Sequence, residues 1–550
     1  MSNPVNPSTS INSLNKSHKR SVVASLIIIA LYTIFVVPIF QVIHTKQPVV
    51  IYPLLPYYVS IGLISLIILY LSPINNQKIQ EHAINNTWHT IDYPLHQSIV
   101  ISAFALYFIG ICYSLLSCYY SLAVNQYDFG IFREVVNAVS HGDLSGYNPT
   151  ENLPHLYVHQ SYIMWIYGLI YKILGAQAWI LQILDAIRIT TTGWLIYRIS
   201  RFRLSQLASL LIVFIYFISP FNFTAYNFSV ESCASVLVCA LYYFYLRGKF
   251  HWFVIIVILL AMVKEDAVLY LLGASLYFLI KKEWRFAITA ISVAITFLFI
   301  NNFITIPLLS NNTQAHFATL GIFSQLGTTP EAIITNLLSN PFIVFHRMFD
   351  KFSGIWTLYG TFAFIPLFNP FTLLSSIFEI VLLALANTDS GLHQYTHYYA
   401  ISINALMFVG MAVVVGWIHS KNSKLAFVII LLFLISFCPH SNIAGRFQRY
   451  FYVDASRLYQ LNQAINEIKI HYPNQPIYTS NNLIPHMIGS GIHYKVLDVS
   501  HLQPGVYFIA FNGDTWPYNT PQLYQLATRL KNCQSIGNTF ILCNNRTTHD

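Results

Sequence analysis

Long apolar runs separated by short polar or basic turns dominate the chain, and their lengths predict membrane-spanning helices rather than soluble cores. The runs extend roughly over 21–43, 50–71, 98–123, 178–197, 204–219, 232–246, 252–263, 267–280, 286–306, 354–367, 372–386, 398–417 and 425–438, about thirteen in all. Several are short against a hydrocarbon layer of about 30 Å, so some neighbours are expected to share a bent hairpin. The apolar stretch 162–174 is expected to be a juxtamembrane or re-entrant helix, because counting it as a crossing would invert the basic turns after it. From about 440 the pattern changes to polar sequence with prolines and short β-like runs such as 476–479 and 506–510, the mark of a small α/β domain.

Lys and Arg orient these spans. The N-terminus ends in Lys16, His18, Lys19 and Arg20 before a run too long for a signal-peptide core, so it is expected to stay inside and the first span to be retained. The turns holding Arg198, Arg201 and Arg203, then Arg247 and Lys249, then Lys281, Lys282 and Arg285, then Lys421 and Lys424 all fall on the cytoplasmic side. The expected organisation is a disordered cytoplasmic segment over 1–20 and two additional helices with a cytoplasmic loop over 21–97. A transmembrane core over 98–439 follows, with outer loops at 124–177 and 307–353, and then an extracytoplasmic domain over 440–550. The protein is therefore expected in the cytoplasmic membrane as an all-α multi-pass chain with a C-terminal α/β domain outside.

Composition agrees. Hydrophobic residues make up 55% of the chain and charged ones 9%, against about a quarter charged in a soluble domain. The formal charge of +9 is spread in small groups between apolar runs, which serves topology and gives no nucleic-acid face. Cys112, Cys118, Cys233, Cys239 and Cys438 lie in or beside spans and form no metal-type cluster. Cys533 and Cys543 sit in the polar tail and can pair if it faces an oxidising compartment.

On this topology Asp128, Glu231 and the triplet Lys264, Glu265 and Asp266 all reach the outer face, although the topology rests on other residues. Charges at the edge of a span are functional candidates. Plainer roles also fit. Asp128 can cap the helix in which Ile131, Phe132, Val135, Val136 and Val139 share a face, Glu231 suits a helix N-terminus, and the triplet can be a solvated hairpin tip. His155 and His159 have the i, i+4 spacing of a metal pair, or of an interfacial loop.

Taken in order, Tyr127-Asp128-Phe129-Gly130-Ile131-Phe132, His141-Gly142, His159, Asn227-Phe228-Ser229-Val230-Glu231 and Lys264-Glu265-Asp266 resemble the bacterial and archaeal membrane-protein family called domain of unknown function twenty seventy-nine. The segment 370–379, His397-Tyr398 and Ile484-Pro485-His486 fit it as well, so the resemblance runs from about Ser98 to the C-terminus. This chain departs from the family at Ser229 and Val230, where His and Pro are frequent. The first two spans lie outside the family pattern.

That family in turn resembles the GT-C glycosyltransferases, which take a sugar from a polyprenyl-phosphate carrier at the outer face. The resemblance implies that Asp128, in the first large outer loop, is the catalytic base that accepts the proton of the attacking hydroxyl. Lys264, with Arg133 or the nearby His155 and His159, would stabilise charge on the departing phosphate. Glu231, Glu265 and Asp266 would orient sugar hydroxyls or hold Lys264, and Tyr127 and His397 join the substrate site through the family segments that contain them. The implied partners are a polyprenyl-phosphate-linked sugar, a glycan, lipid or protein acceptor, and the bilayer; no cofactor is required. The alternatives are a transporter or flippase, which would place ionisable groups near the midplane on paired repeats, and a scaffold that binds a lipid-linked sugar without turnover.

Overall fold

The computed structural model describes residues 94–124, 129–148, 153–219, 228–310, 323–327, 330–350, 359, 362–386, 401–437, 455–511 and 518–545. Helices come first: α1 (Pro94–Tyr120), α2 (Ile131–Ser140), a two-stranded ribbon of β1 (Tyr147–Asn148) and β2 (Leu153–Pro154), α3 (His155–Val158), α4 (Met164–Leu174), α5 (Ala178–Ser200) and α6 (Gln206–Ile218). Next are α7 (Cys233–Leu246), α8 (Phe250–Ala261), a 3-10 turn (Glu265–Ala267), α9 (Val268–Ile280), α10 (Trp284–Ile300), a π turn (Asn301–Thr305) and α11 (Ile306–Leu309). Then follow α12 (Pro330–Ser339), α13 (Phe342–Asp350), a 3-10 turn (Ile365–Phe368), α14 (Pro370–Leu385), α15 (Ile401–Lys421) and α16 (Ser423–Phe437). The tail holds α17 (Ala455–His471), β3 (Ile477–Thr479), α18 (Ile484–Met487), β4 (Tyr494–Val496), β5 (Val506–Ala510), α19 (Thr520–Arg529), β6 (Cys533–Ile536) and β7 (Phe540–Asn544).

The chain is mostly helical, with the small sheet confined to its end. Among the described residues three helical stretches, Ser98–Tyr120, Trp284–Leu309 and Ile401–Lys421, are long and apolar enough to cross a bilayer. Six shorter apolar helices accompany them. At 1.5 Å per residue the twelve residues of α8 reach only about 18 Å, short of a hydrocarbon layer of about 30 Å. The expected run at 354–367 has no helix of spanning length among its described residues. Ala363 and Phe364 take left-handed backbone, and Pro366 lies in the 3-10 turn that follows. The stretch expected to be juxtamembrane is α4, eleven residues long.

Contacts divide the chain into two units, one taking in 197–220 and 412–441, the other 93–196, 221–411 and 442–550. In the first, α6 packs on α16, and its N-terminus is closed by Ser205, whose hydroxyl accepts from the Ala208 N–H. In the second, glycines let helices approach closely. A β-carbon at Gly273 on α9 would stand 2.1 Å from the Leu374 carbonyl of α14, and one at Gly168 on α4 would stand 2.3 Å from Val139 of α2. Aromatic rings fill the space around α7, α8, α9 and α10, with Phe253 and Phe278 fully buried and Tyr242 stacked on Phe371 at 4.2 Å.

The tail sheet has the order β4-β3-β5-β7-β6, the first three strands parallel and the last two antiparallel. β5 lies at its centre, which is why its five residues form an unbroken apolar run with every one buried. Val506, Phe508 and Ala510 face α17 through Leu461, Ala464 and Ile468, while Tyr507 and Ile509 face α19 through Leu523 and Leu526. A capping box between Asn519 and Gln522 starts α19. Cys533 and Cys543 are disulfide-bonded across β6 and β7. Leu122, just after α1, is completely buried and belongs to the core formed by α17 and the sheet.

Candidate functional site

The triplet is neither span nor open hairpin tip. Lys264 is extended (φ −168°), and Glu265, Asp266 and Ala267 close a 3-10 turn between α8 and α9. An extended residue followed by one tight turn sends successive side chains in different directions, so the three charges separate. The Lys264 ammonium lies 3.0 Å from Glu231 Oε1 and 3.9 Å from Asp266 Oδ2, with the Lys264 and Glu231 side chains only 8% and 13% exposed. Glu265 turns the other way. Its Oε1 lies 3.0 Å from His159 Nδ1, and its Oε2 accepts the Gln160 N–H at 3.2 Å.

Three sequence-remote segments therefore meet: Glu231 before α7, the turn after α8, and the loop between α3 and α4. Hydrogen bonds from backbone and side chains lock the arrangement. Ile163 N–H donates to the Met262 carbonyl. The Tyr162 hydroxyl donates to Asn301 Oδ1 at 2.8 Å and lies 2.6 Å from Thr305 Oγ1, so the π turn at the end of α10 grips the same loop. Ser229 and Ser232 hold the turn carrying Glu231, with the Ser232 hydroxyl donating to the Ser229 carbonyl at 2.6 Å.

Glu231, Asp266, Tyr270 of α9, Glu379 of α14 and Ser402 of α15 line a narrow cleft beside this network. Glu379 is 4% exposed, and its Oε2 has no partner among the described residues; the same holds for Glu231 Oε2. The cleft is thus rich in hydrogen-bond acceptors that a donor-bearing ligand or water would satisfy. Burial raises the Asp266 carboxyl to about 6, with Lys264 opposing and Glu265 and Glu231 adding to the rise. Burial pushes Glu265 in the same direction, but the His159 and Lys264 charges outweigh it and hold Glu265 at about 2. Two carboxylates next to each other in sequence are in this way driven apart in acidity, an arrangement common where proton chemistry is done.

His155 lies beneath, 1% exposed, its ring against Phe132 and, at 5.7 Å, against His159; neither ring nitrogen has a hydrogen-bond partner among the described residues. Burial, and then the His159 charge, lower it to about 3, so at neutral pH it is an uncharged ring. Arg133 points elsewhere. Its Nη1 donates to the Pro485 carbonyl and its Nη2 to the Ala176 carbonyl at 3.4 Å. Around it the tail seats on the end of α1, on Leu122 and on α2. His486 stacks on Tyr119 at 4.2 Å, the Tyr494 hydroxyl donates to Glu134, and Leu122 enters the tail core. Burial and then Arg133 hold His486 down at about 3. Tyr127, Asp128 and His397 lie outside the described residues, although Val124 and Phe129 on either side of Asp128 are fully buried. The described cap position of α2 is Gly130, with no side-chain cap bond.

From the sequence alone no role falls to Glu379, which lines the cleft, or to the pair Asp185 and Arg188. Glu379 is a lone carboxylate inside an apolar run, which is itself a signal. Asp185 and Arg188, an i, i+3 pair on α5, form a 2.6 Å ion pair buried to 1% and 5% exposure, and Arg188 reaches the Ser235 hydroxyl at 3.0 Å. Among the described residues no group of three or more His, Cys, Asp or Glu is placed to hold a metal ion.

Residues 118–488, more than half of the chain, match the family described as predicted membrane protein (DUF2079). The chain belongs to this family. DUF2079 thus covers α2 to α18 and every group of the network, and it stops short of β5 and α19. No curated protein matches the chain. Among solved structures, it is similar to ArnT from Cupriavidus metallidurans bound to undecaprenyl phosphate, at TM-score 0.48 and 12% identity over 82% of this chain and 98% of that one. It is also similar to the apo state of the same protein, at TM-score 0.44 and 11% identity over 81% and 98%.

Proposed function

We propose that this DUF2079 protein is a membrane glycosyltransferase that moves a sugar from a polyprenyl-phosphate donor to a glycan, lipid or protein acceptor at the outer face of the cytoplasmic membrane. The observation that carries the reading is the meeting of Glu231, Lys264, Glu265, Asp266 and His159 in one half-buried network at the ends of apolar helices, opening on the cleft with Glu379. The carboxylates and Ser402 offer acceptors and a hydroxyl to sugar hydroxyls. Asp128 is the general base for the acceptor hydroxyl. Lys264 reaches a phosphate only by giving up part of its contact with Glu231, so it responds to a bound anion rather than waiting as a free cation.

The test is the purified protein in lipid nanodiscs, given isotope-labelled polyprenyl-phosphate sugars and envelope extract. Label moving to a non-lipid or new lipid acceptor supports the reading. Label crossing the bilayer of proteoliposomes with its carrier intact supports a flippase instead.

A further inference from the structure

At this face the cations divide sharply. Lys264 is held between Glu231 and Asp266, Arg133 is engaged by two backbone carbonyls, and His155 is a buried neutral ring. His159 differs from all three. Its Nδ1 is fixed on Glu265, whose second oxygen is pinned by the Gln160 N–H, so the ring has one orientation. Its side chain is 26% exposed, and Nε2 has no partner among the described residues. With Nδ1 on the carboxylate, Nε2 is the ring nitrogen left facing outward, and a proton carried there is a donor. The groups facing it are His155 on its own segment and Lys264, Glu265 and Asp266 on the turn after α8; α11, which also packs on α3, contributes no titratable residue.

We propose that His159, held by Glu265, binds the phosphate of the lipid donor and gives it a proton as the sugar departs. This rests on the glycosyl-transfer reading. The donor is a phosphodiester with one negative charge. The acceptor oxygen bonds to the sugar's anomeric carbon, and the bond from that carbon to the phosphate oxygen breaks with its electron pair. The phosphate would then be a dianion, whose second proton is bound near pH 6. The Nε2 proton passes to that oxygen while the acceptor's proton passes to Asp128. The products are the glycoside and the polyprenyl phosphate monoanion; solvent takes the proton from Asp128 and reprotonates His159 between turnovers. A positioned imidazole is the side chain most often used for such a proton transfer.

The test uses decaprenyl phosphate as the probe, titrated into the full chain in nanodiscs at pH 6 and pH 9. His159→Gln weakens binding about tenfold or more at pH 6 and by little at pH 9. His159→Lys restores binding and keeps it at pH 9. A loss of the same size at both pH values, or none at either, overturns the assignment of His159 while leaving glycosyl transfer intact. Failure of the wild type to bind decaprenyl phosphate at any pH overturns the glycosyl-transfer reading itself, and this assignment with it.

Discussion

Replacing Lys264 by methionine keeps a long apolar stem and removes the ammonium. In the structure that ammonium sits 3.0 Å from Glu231 Oε1 and 3.9 Å from Asp266 Oδ2, with both members of the shorter pair nearly buried. The change leaves Glu231 facing an apolar group while its Oε2 already lacks a protein partner, and it removes the charge that opposes the rise in the Asp266 carboxyl. Breaking such a pair from one side costs about 3–5 kcal/mol, because the remaining charge keeps its desolvation penalty without its partner. Glu231→Gln should cost less, since Asp266 still faces Lys264. The double variant Lys264→Met with Glu231→Gln removes both charges, so its cost should fall below the sum of the two single changes by about 1–3 kcal/mol. Denaturant unfolding of the four proteins in one detergent measures this directly. Additivity within about 0.5 kcal/mol would mean that the two side chains do not interact, and the network would lose its central contact.

Leu122→Ala removes a fully buried side chain from the tail core and should cost about 2–5 kcal/mol, read as faster proteolysis of the tail. Gly273→Ala drives a methyl group into the Leu374 carbonyl and should cost about 1–3 kcal/mol or more, while Gly110→Ala, with open space around it, should be neutral or slightly stabilising; thermal unfolding of both compares them. Asp266 titrates at about 6 when folded and near 3.9 when unfolded, so the folded state binds its proton more tightly and stability falls as pH rises from about 4 through 6. Asp266→Asn should flatten that part of the stability–pH curve, and an unchanged slope would move its origin to another group.

How much of this was readable from the chain depends on whether the signal is local. Apolar runs mark helices by composition alone, and the β-like run 506–510 marks a strand, though not its place at the centre of the sheet. The triplet stands out because three charges interrupt apolar sequence. Partnership is not local. Glu265 meets His159 from 106 positions away, and nothing in either segment names the other. Leu122 reads as part of the span 98–123, since an apolar side chain looks the same entering a bilayer or a tail core. Arg133 reads as a phosphate ligand because its charge is visible and the Pro485 carbonyl it meets is not. Glu379 carries its own signal as a single acid in an apolar helix, but its role needs the cleft that α9 and α15 complete.

The account turns on sugar transfer with Asp128 as the base, and the surface glycans of cells report it most directly. Mass spectrometry would compare cells lacking the protein with the same cells complemented by the wild type or by Asp128→Asn at equal membrane levels. Asn matches Asp in size and in capping ability but cannot accept the proton, which is worth about a hundred- to ten-thousand-fold in rate. The account expects one sugar to be missing without the protein, restored by the wild type and still missing with Asp128→Asn. A full glycan set in cells lacking the protein would contradict glycosyl transfer, and full restoration by Asp128→Asn would contradict the assignment of the base.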